Sequence, residues 1–124
     1  STDPGAANEP FNITNGDIFR WQDMWPAIAD YFGMEAGPAQ KIDLVNTMAD
    51  QSQQWKSLAQ KHDLVPIPYE QLVGWDYGNR VFTPEFDIIS STTKARQYGF
   101  SEFQDSQEMF LRQFDELRQN RIIP

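Results

Sequence analysis

Residues 11–25 constrain the fold of this chain more than any other segment. They read Phe-Asn-Ile-Thr-Asn-Gly-Asp-Ile-Phe-Arg-Trp-Gln-Asp-Met-Trp. The apolar residues alternate up to an Asn-Gly pair and then recur at helical spacing, which predicts a strand over Phe11–Thr14, a tight turn and the start of a helix. A strand needs a partner, and one other convincing candidate is present, Glu85 to Ser90. We therefore expect residues outside this chain to complete the sheet, which makes these 124 residues a fragment.

The composition predicts one folded domain over residues 1–124, in which residues 1–10 form a loop. With 40% apolar and 14% aromatic residues, the chain is not expected to be disordered. It has no cysteine, no apolar run of membrane-spanning length and no signal-peptide pattern. These absences favour a soluble, cytoplasmic protein with no membrane partner. The net charge of −8 repels phosphate backbones, so we expect no nucleic-acid partner.

Helical patterns fill most of the remaining sequence. Apolar residues from Trp21 to Phe32 recur at helical spacing and stop before Gly33. Near the other end, Asp105 and Glu108 have the spacing of a capping box before a last helix. Three further helices are predicted: from Ile42 or Asn46 to His62, from Tyr69 to Phe82, and from Lys94 to Tyr98. The predicted fold class is α+β, mostly helical with two short strands.

The sequence lacks the usual signatures of catalytic and cofactor sites. It has neither a glycine-rich dinucleotide turn nor a phosphate-binding loop. Gly74 and Gly78 are more typical of close helix packing than of a ligand site. The single histidine, His62, lies near a predicted helix end, where a cationic side chain suits the helix dipole. We predict no catalytic, cofactor-binding or metal-binding residue in this chain.

An aromatic cluster is the remaining candidate site. Trp75, Tyr77 and Phe82 lie within one predicted helix. Aromatic walls with an indole or phenol group suit a flat apolar substrate, although most such clusters belong to a core. Trp75 and Phe82 are seven residues apart and share a helix face, whereas Tyr77 lies about 200° away from Trp75. We expect Trp75 and Phe82 to be buried and Tyr77 to face a cavity.

Three segments of the sequence, in their order and spacing, resemble one known enzyme family. The first is Phe11–Asp17 with the tryptophans that follow it. The second is Pro68–Leu72, and the third is Asp87–Phe100 with the Ile-Ile-Pro ending. Together they resemble the C-terminal third of the progesterone 5β-reductase and iridoid synthase-like branch of short-chain dehydrogenases/reductases. The resemblance implies the C-terminal portion of an α/β Rossmann-type reductase, without its nucleotide-binding domain.

The same resemblance implies how function is divided in the parent protein. Members of the branch are NAD(P)H-dependent reductases of enones, and their cofactor turn and catalytic tyrosine and lysine lie upstream of this region. No tyrosine here is followed four residues later by lysine. The chain alone should therefore bind no cofactor and catalyse nothing, while the parent protein would use NADPH or NADH. In such enzymes the helix matching Tyr69 to Phe82 lines the pocket, so Trp75 and Tyr77 are the substrate-binding candidates for a small apolar substrate.

Two other functions remain open from the sequence. The chain could be a free-standing binding or scaffold protein that uses an exposed strand edge or its aromatic helix. A cofactor-free enzyme ranks lower, because no acid/base pair is visible. Since a two-stranded sheet is marginal by itself, we also expect a homodimer that pairs the strands across its axis.

Overall fold

The computed structural model describes residues 4–124, and those residues are mostly helical. A short 3₁₀ turn covers Pro4–Ala6. Seven α-helices follow: α1 (Trp21–Tyr31), α2 (Leu44–Met48), α3 (Ser52–Lys61), α4 (Tyr69–Leu72), α5 (Trp75–Phe82), α6 (Thr93–Gln97) and α7 (Ser106–Gln119). None of the helices within residues 4–124 is both long and apolar enough to cross a bilayer.

Two helices end at glycine as the sequence predicts. Gly33 follows α1 with a φ of 65°, and Gly99 follows α6 with a φ of 81°. In each case the next residue's N–H returns to the helix, from Met34 to the Ala29 carbonyl at 2.8 Å and from Phe100 to the Ala95 carbonyl at 3.0 Å. This geometry needs a left-handed residue after the helix, which glycine adopts without the penalty of a Cβ atom.

The prediction of two strands is wrong for the described residues. Within residues 4–124 neither Phe11–Thr14 nor Glu85–Ser90 forms a strand. The one ladder contact described is an isolated parallel bridge between Gly16 and Gln104, where Gln104 N–H donates to the Asn15 carbonyl at 2.8 Å. A β-strand is defined by its hydrogen bonds to the backbone of a neighbouring strand. Among the described residues, no neighbouring strand pairs with either segment. The α+β prediction therefore reduces to a mostly helical chain.

Two predicted long helices are also each divided in two. The first is interrupted between Met48 and Ser52, where Gln51 Nε2 donates to the Thr47 carbonyl at 3.5 Å. The second is interrupted at Val73, which is extended with φ −143° and ψ 133°, and at Gly74. Valine and glycine are both poor helix formers, and their adjacency separates α4 from α5.

The chain divides into two compact units. The first contains the described residues up to Ala36 together with Ile88–Leu111, and the second contains Gly37–Asp87 together with Arg112–Pro124. The fully buried residues of the described chain all belong to the first unit: Met24, Ala29, Ala95 and Ser106. No residue of α2, α3, α4 or α5 is fully buried.

A polar cluster organises the first unit around the start of α7. The Ser106 N–H and hydroxyl donate to the two carboxylate oxygens of Asp17 at 2.7 and 2.8 Å, and Asn15 Nδ2 donates to the Ser106 hydroxyl at 2.9 Å. Asp105 accepts from the Glu108 N–H at 2.8 Å, which confirms its predicted capping role. The Asn-Gly turn is thereby attached to a helix that begins about 90 residues later in the sequence.

Aromatic residues form an apolar cluster in the same unit. The Phe19 ring meets the edge of Trp21 at 5.2 Å between centroids, and Phe110 lies 6.0 Å from Trp21. Trp25 lies 5.8 Å from Trp21, one helical turn along α1. Rings at these separations add packing energy beyond the burial of their area. The cluster explains why the first helical turn of α1 is so rich in tryptophan.

Candidate functional site

Helix α5, which carries the candidate residues, is held against α2 in the second unit. A Cβ atom on Gly78 would approach the Leu44 side chain to 3.1 Å, so glycine permits this close contact. The prediction that Gly78 serves helix packing is confirmed. Gly74 differs, because a Cβ atom there would meet ordinary contact distances only.

A hydrogen-bonded pair fixes the same helix contact. Asn79 Oδ1 accepts from the Leu44 N–H at 2.8 Å, and Asn79 Nδ2 donates to Asp43 Oδ1 at 3.0 Å. Asp43 also caps α2 by accepting from the Asn46 N–H at 3.3 Å. The hydrogen bond from Asn79, and after it the one from the Asn46 backbone, lowers the pKa of Asp43, because both stabilise the ionised carboxylate. The position of α5 thus depends on polar contacts near its middle.

Trp75, the first residue of α5, contacts the ring of Tyr69, the first residue of α4. Its ring is tilted on that of Tyr69, with 6.2 Å between centroids, and the Tyr69 hydroxyl donates to the Met48 carbonyl at 2.8 Å. The Trp75 side chain is half-buried, and its Nε1 is shielded from solvent without a hydrogen-bond partner among residues 4–124. An unpartnered indole N–H is costly when buried, so Trp75 Nε1 is a donor that the described residues leave unused.

Tyr77 lies on a different side of α5 and is 66% exposed. The structure therefore does not bring Trp75 and Tyr77 together, in agreement with their expected angular separation. The prediction that Phe82 is buried is wrong, because its side chain is 42% exposed. Phe82 shares the Trp75 face, and the helices of the second unit leave that face incompletely covered. The predicted continuous helix from Tyr69 to Phe82 does not place Tyr69 beside Trp75, and this neighbour was therefore missed from the sequence.

The N-terminus of α7 shows whether this chain fits a nicotinamide dinucleotide. Such a cofactor places its pyrophosphate against free N–H groups at a helix start. At α7 those groups already donate to carboxylates, Ser106 to Asp17 and Glu108 to Asp105. Two anionic side chains at this position repel a third anionic group. The start of α7 therefore does not fit the cofactor.

Several known enzymes are similar in sequence to this chain. No family model matches it. It is 31% identical over 128 residues to an (S)-8-oxocitronellyl enol synthase of Catharanthus roseus and 32% identical over 127 residues to one of Antirrhinum majus. It is 29% identical over 127 residues to a 3-oxo-Δ(4,5)-steroid 5-β-reductase of Arabidopsis thaliana.

All three alignments include the whole chain but only 33%, 33% and 32% of the relatives. The chain is homologous to one third of these enzymes. Its resemblance to the C-terminal part of the progesterone 5β-reductase and iridoid synthase-like branch is thereby confirmed. The chain spans about a third of the length of the curated relatives it matches.

Proposed function

We propose that this chain is the substrate-binding C-terminal part of an NAD(P)H-dependent short-chain reductase that acts on an apolar carbonyl compound or enone. The observation that carries the proposal is the alignment of the whole chain with enol synthases and a steroid reductase. A 3-oxo-Δ(4,5)-steroid is a ketone conjugated to a carbon–carbon double bond. A related pocket would have to accept a similarly flat, apolar, conjugated carbonyl compound.

In this proposal the chain binds and orients substrate, while the rest of the parent protein holds NADPH or NADH and the catalytic residues. When bound, the cofactor supplies the hydride. Trp75 would form part of the pocket wall with its half-buried ring. Tyr77 would contact substrate from its exposed position on α5. We also propose a cytoplasmic location and a homodimer for the parent protein.

Cofactor binding tests this division of labour. We expect calorimetric titration of the 124-residue chain with NADPH or NADH to give no heat of binding, because the sequence has no glycine-rich dinucleotide turn and carboxylates occupy the start of α7. The protein encoded by the full reading frame should bind one of the two cofactors with micromolar affinity and reduce enones. Micromolar binding to the chain alone, or a full-length protein that binds neither cofactor, would contradict the proposal and favour a scaffold role.

The substrate role of Tyr77 is tested by truncation in the full-length protein. We expect Tyr77→Ala to raise KM for an accepted enone about 3- to 10-fold, corresponding to roughly 0.7–1.4 kcal/mol of lost binding. Stability should change by about 0.5 kcal/mol or less, because the side chain is 66% exposed. Phe103 is a matched control, since it is 67% exposed and lies outside α5. Phe103→Ala should leave KM unchanged, and equal effects of both variants would refute the assignment.

A further inference from the structure

Helix α5 depends on α2 for its orientation. The chain joins α5 to α4 through Val73 and Gly74, and neither residue has a helical conformation. Because this break interrupts the helical hydrogen bonds, the connection by itself does not fix the rotation of α5 about its own axis. Among the helices of residues 4–124, α2 is the one that packs along α5. The groups that join α5 to α2 therefore set that rotation.

Asn79 makes the directional contacts between these two helices. Its side-chain oxygen accepts from the Leu44 N–H at 2.8 Å, and its amide nitrogen donates to Asp43 Oδ1 at 3.0 Å. Both partners lie at the start of α2, so the Asn79 side chain is held at two points. Hydrogen bonds prefer a particular direction, whereas apolar packing does not. This two-point contact fixes the rotation of α5.

The same contact decides where Tyr77 points. Residues two apart in an α-helix lie about 200° from each other around the axis, so turning Asn79 toward α2 leaves Tyr77 on the far side of α5. Tyr77 is accordingly 66% exposed, whereas Asn79 is half-buried. Trp75 is four residues before Asn79 and lies within about 40° of it, on the half-buried side.

We propose that Asn79 is a positioning residue for substrate binding, which holds α5 in the rotation that presents Tyr77 to the substrate. This inference rests on the proposed function, in which Tyr77 contacts substrate. Asn79 faces α2 and acts through Tyr77 rather than by touching substrate itself. Loss of its two hydrogen bonds should therefore weaken the binding of substrate and leave the cofactor, which the rest of the parent protein holds, unaffected.

Asn79→Asp in the full-length protein tests this role. The new carboxylate can still accept from the Leu44 N–H, but it faces the Asp43 carboxylate, and two like charges repel. We expect KM for an accepted enone to rise about 3- to 10-fold, while kcat and KM for the cofactor change by less than about twofold. Asn120→Asp is the matched control, since it adds the same charge and removes a side-chain hydrogen bond to the Glu116 carbonyl. It lies just beyond α7 and should leave KM unchanged.

Three further variants separate positioning from a general loss of stability. Asn79→Ala removes both hydrogen bonds without adding a charge and should raise KM similarly, so the test stands if Asn79→Asp does not fold. Asn79→Asp with Asp43→Asn reverses donor and acceptor, and asparagine begins helices as well as aspartate does. We expect this reversed pair to restore KM to within about twofold of the wild type. Asn79→Asp with Tyr77→Ala should raise KM no further than Tyr77→Ala alone, because the residue that Asn79 positions is absent.

The failure of this inference is distinguishable from the failure of the proposed function. A wild-type full-length protein that reduces no enone would overturn both. An active enzyme in which the Asn79 variants lower the melting temperature but leave KM for the enone unchanged would overturn the positioning role alone. The same holds if Asn79→Asp raises KM equally with and without the Tyr77 side chain, or if the reversed pair restores the melting temperature but not KM.

Discussion

Replacing Asp17 by alanine is expected to lower the free energy of unfolding by about 3 kcal/mol, because one carboxylate serves two buried donors. The Ser106 N–H and hydroxyl both donate to it, and Ser106 is only 3% exposed. In the variant these groups lose their partner in a place that water hardly reaches. Chemical denaturation followed by tryptophan fluorescence measures the change.

Asp105 is the matched control for this prediction. It caps the same helix but lies exposed, where water replaces the lost hydrogen bond to the Glu108 N–H. Asp105→Ala should therefore cost about 1 kcal/mol, a typical value for an exposed cap. If the two alanine variants were equally stable, the buried contact between Asp17 and Ser106 would have no special role.

Met24→Ala is expected to destabilise the chain by about 2–5 kcal/mol, as truncations of buried methionine do. Met24 is 3% exposed and is the largest of the fully buried hydrophobic side chains among the described residues. Removing it leaves a cavity in a core with few other members to fill the space. The same denaturation measurement reports the loss.

The control is Met34→Ala, which removes the same atoms from a side chain that is 62% exposed. We expect it to change stability by about 0.5 kcal/mol or less. A small effect of Met24→Ala, similar to that of Met34→Ala, would show that the first unit does not depend on this buried contact.

The candidate site could be predicted from the sequence only in part. The aromatic content of α5 and the angle between Trp75 and Tyr77 follow from residue order, because 100° per residue holds in any α-helix. The interruption at Val73 and Gly74 was visible in principle, since both are poor helix formers. The neighbours of Trp75 were not predictable, because Tyr69 reaches it across that interruption.

The sequence by itself determined the local features of this protein. Gly33 and Gly99 end helices, and Asp105 begins one, because these effects involve residues within one or two turns of each other. The order and spacing of the three matching sequence segments also indicated the relationship to the reductases. Only the tertiary structure decided that Asp17 holds the start of α7, and that residues 11–14 and 85–90 are not strands within this chain. Both outcomes depend on which distant backbone or side chain is present as a partner, and local residue patterns do not encode that choice.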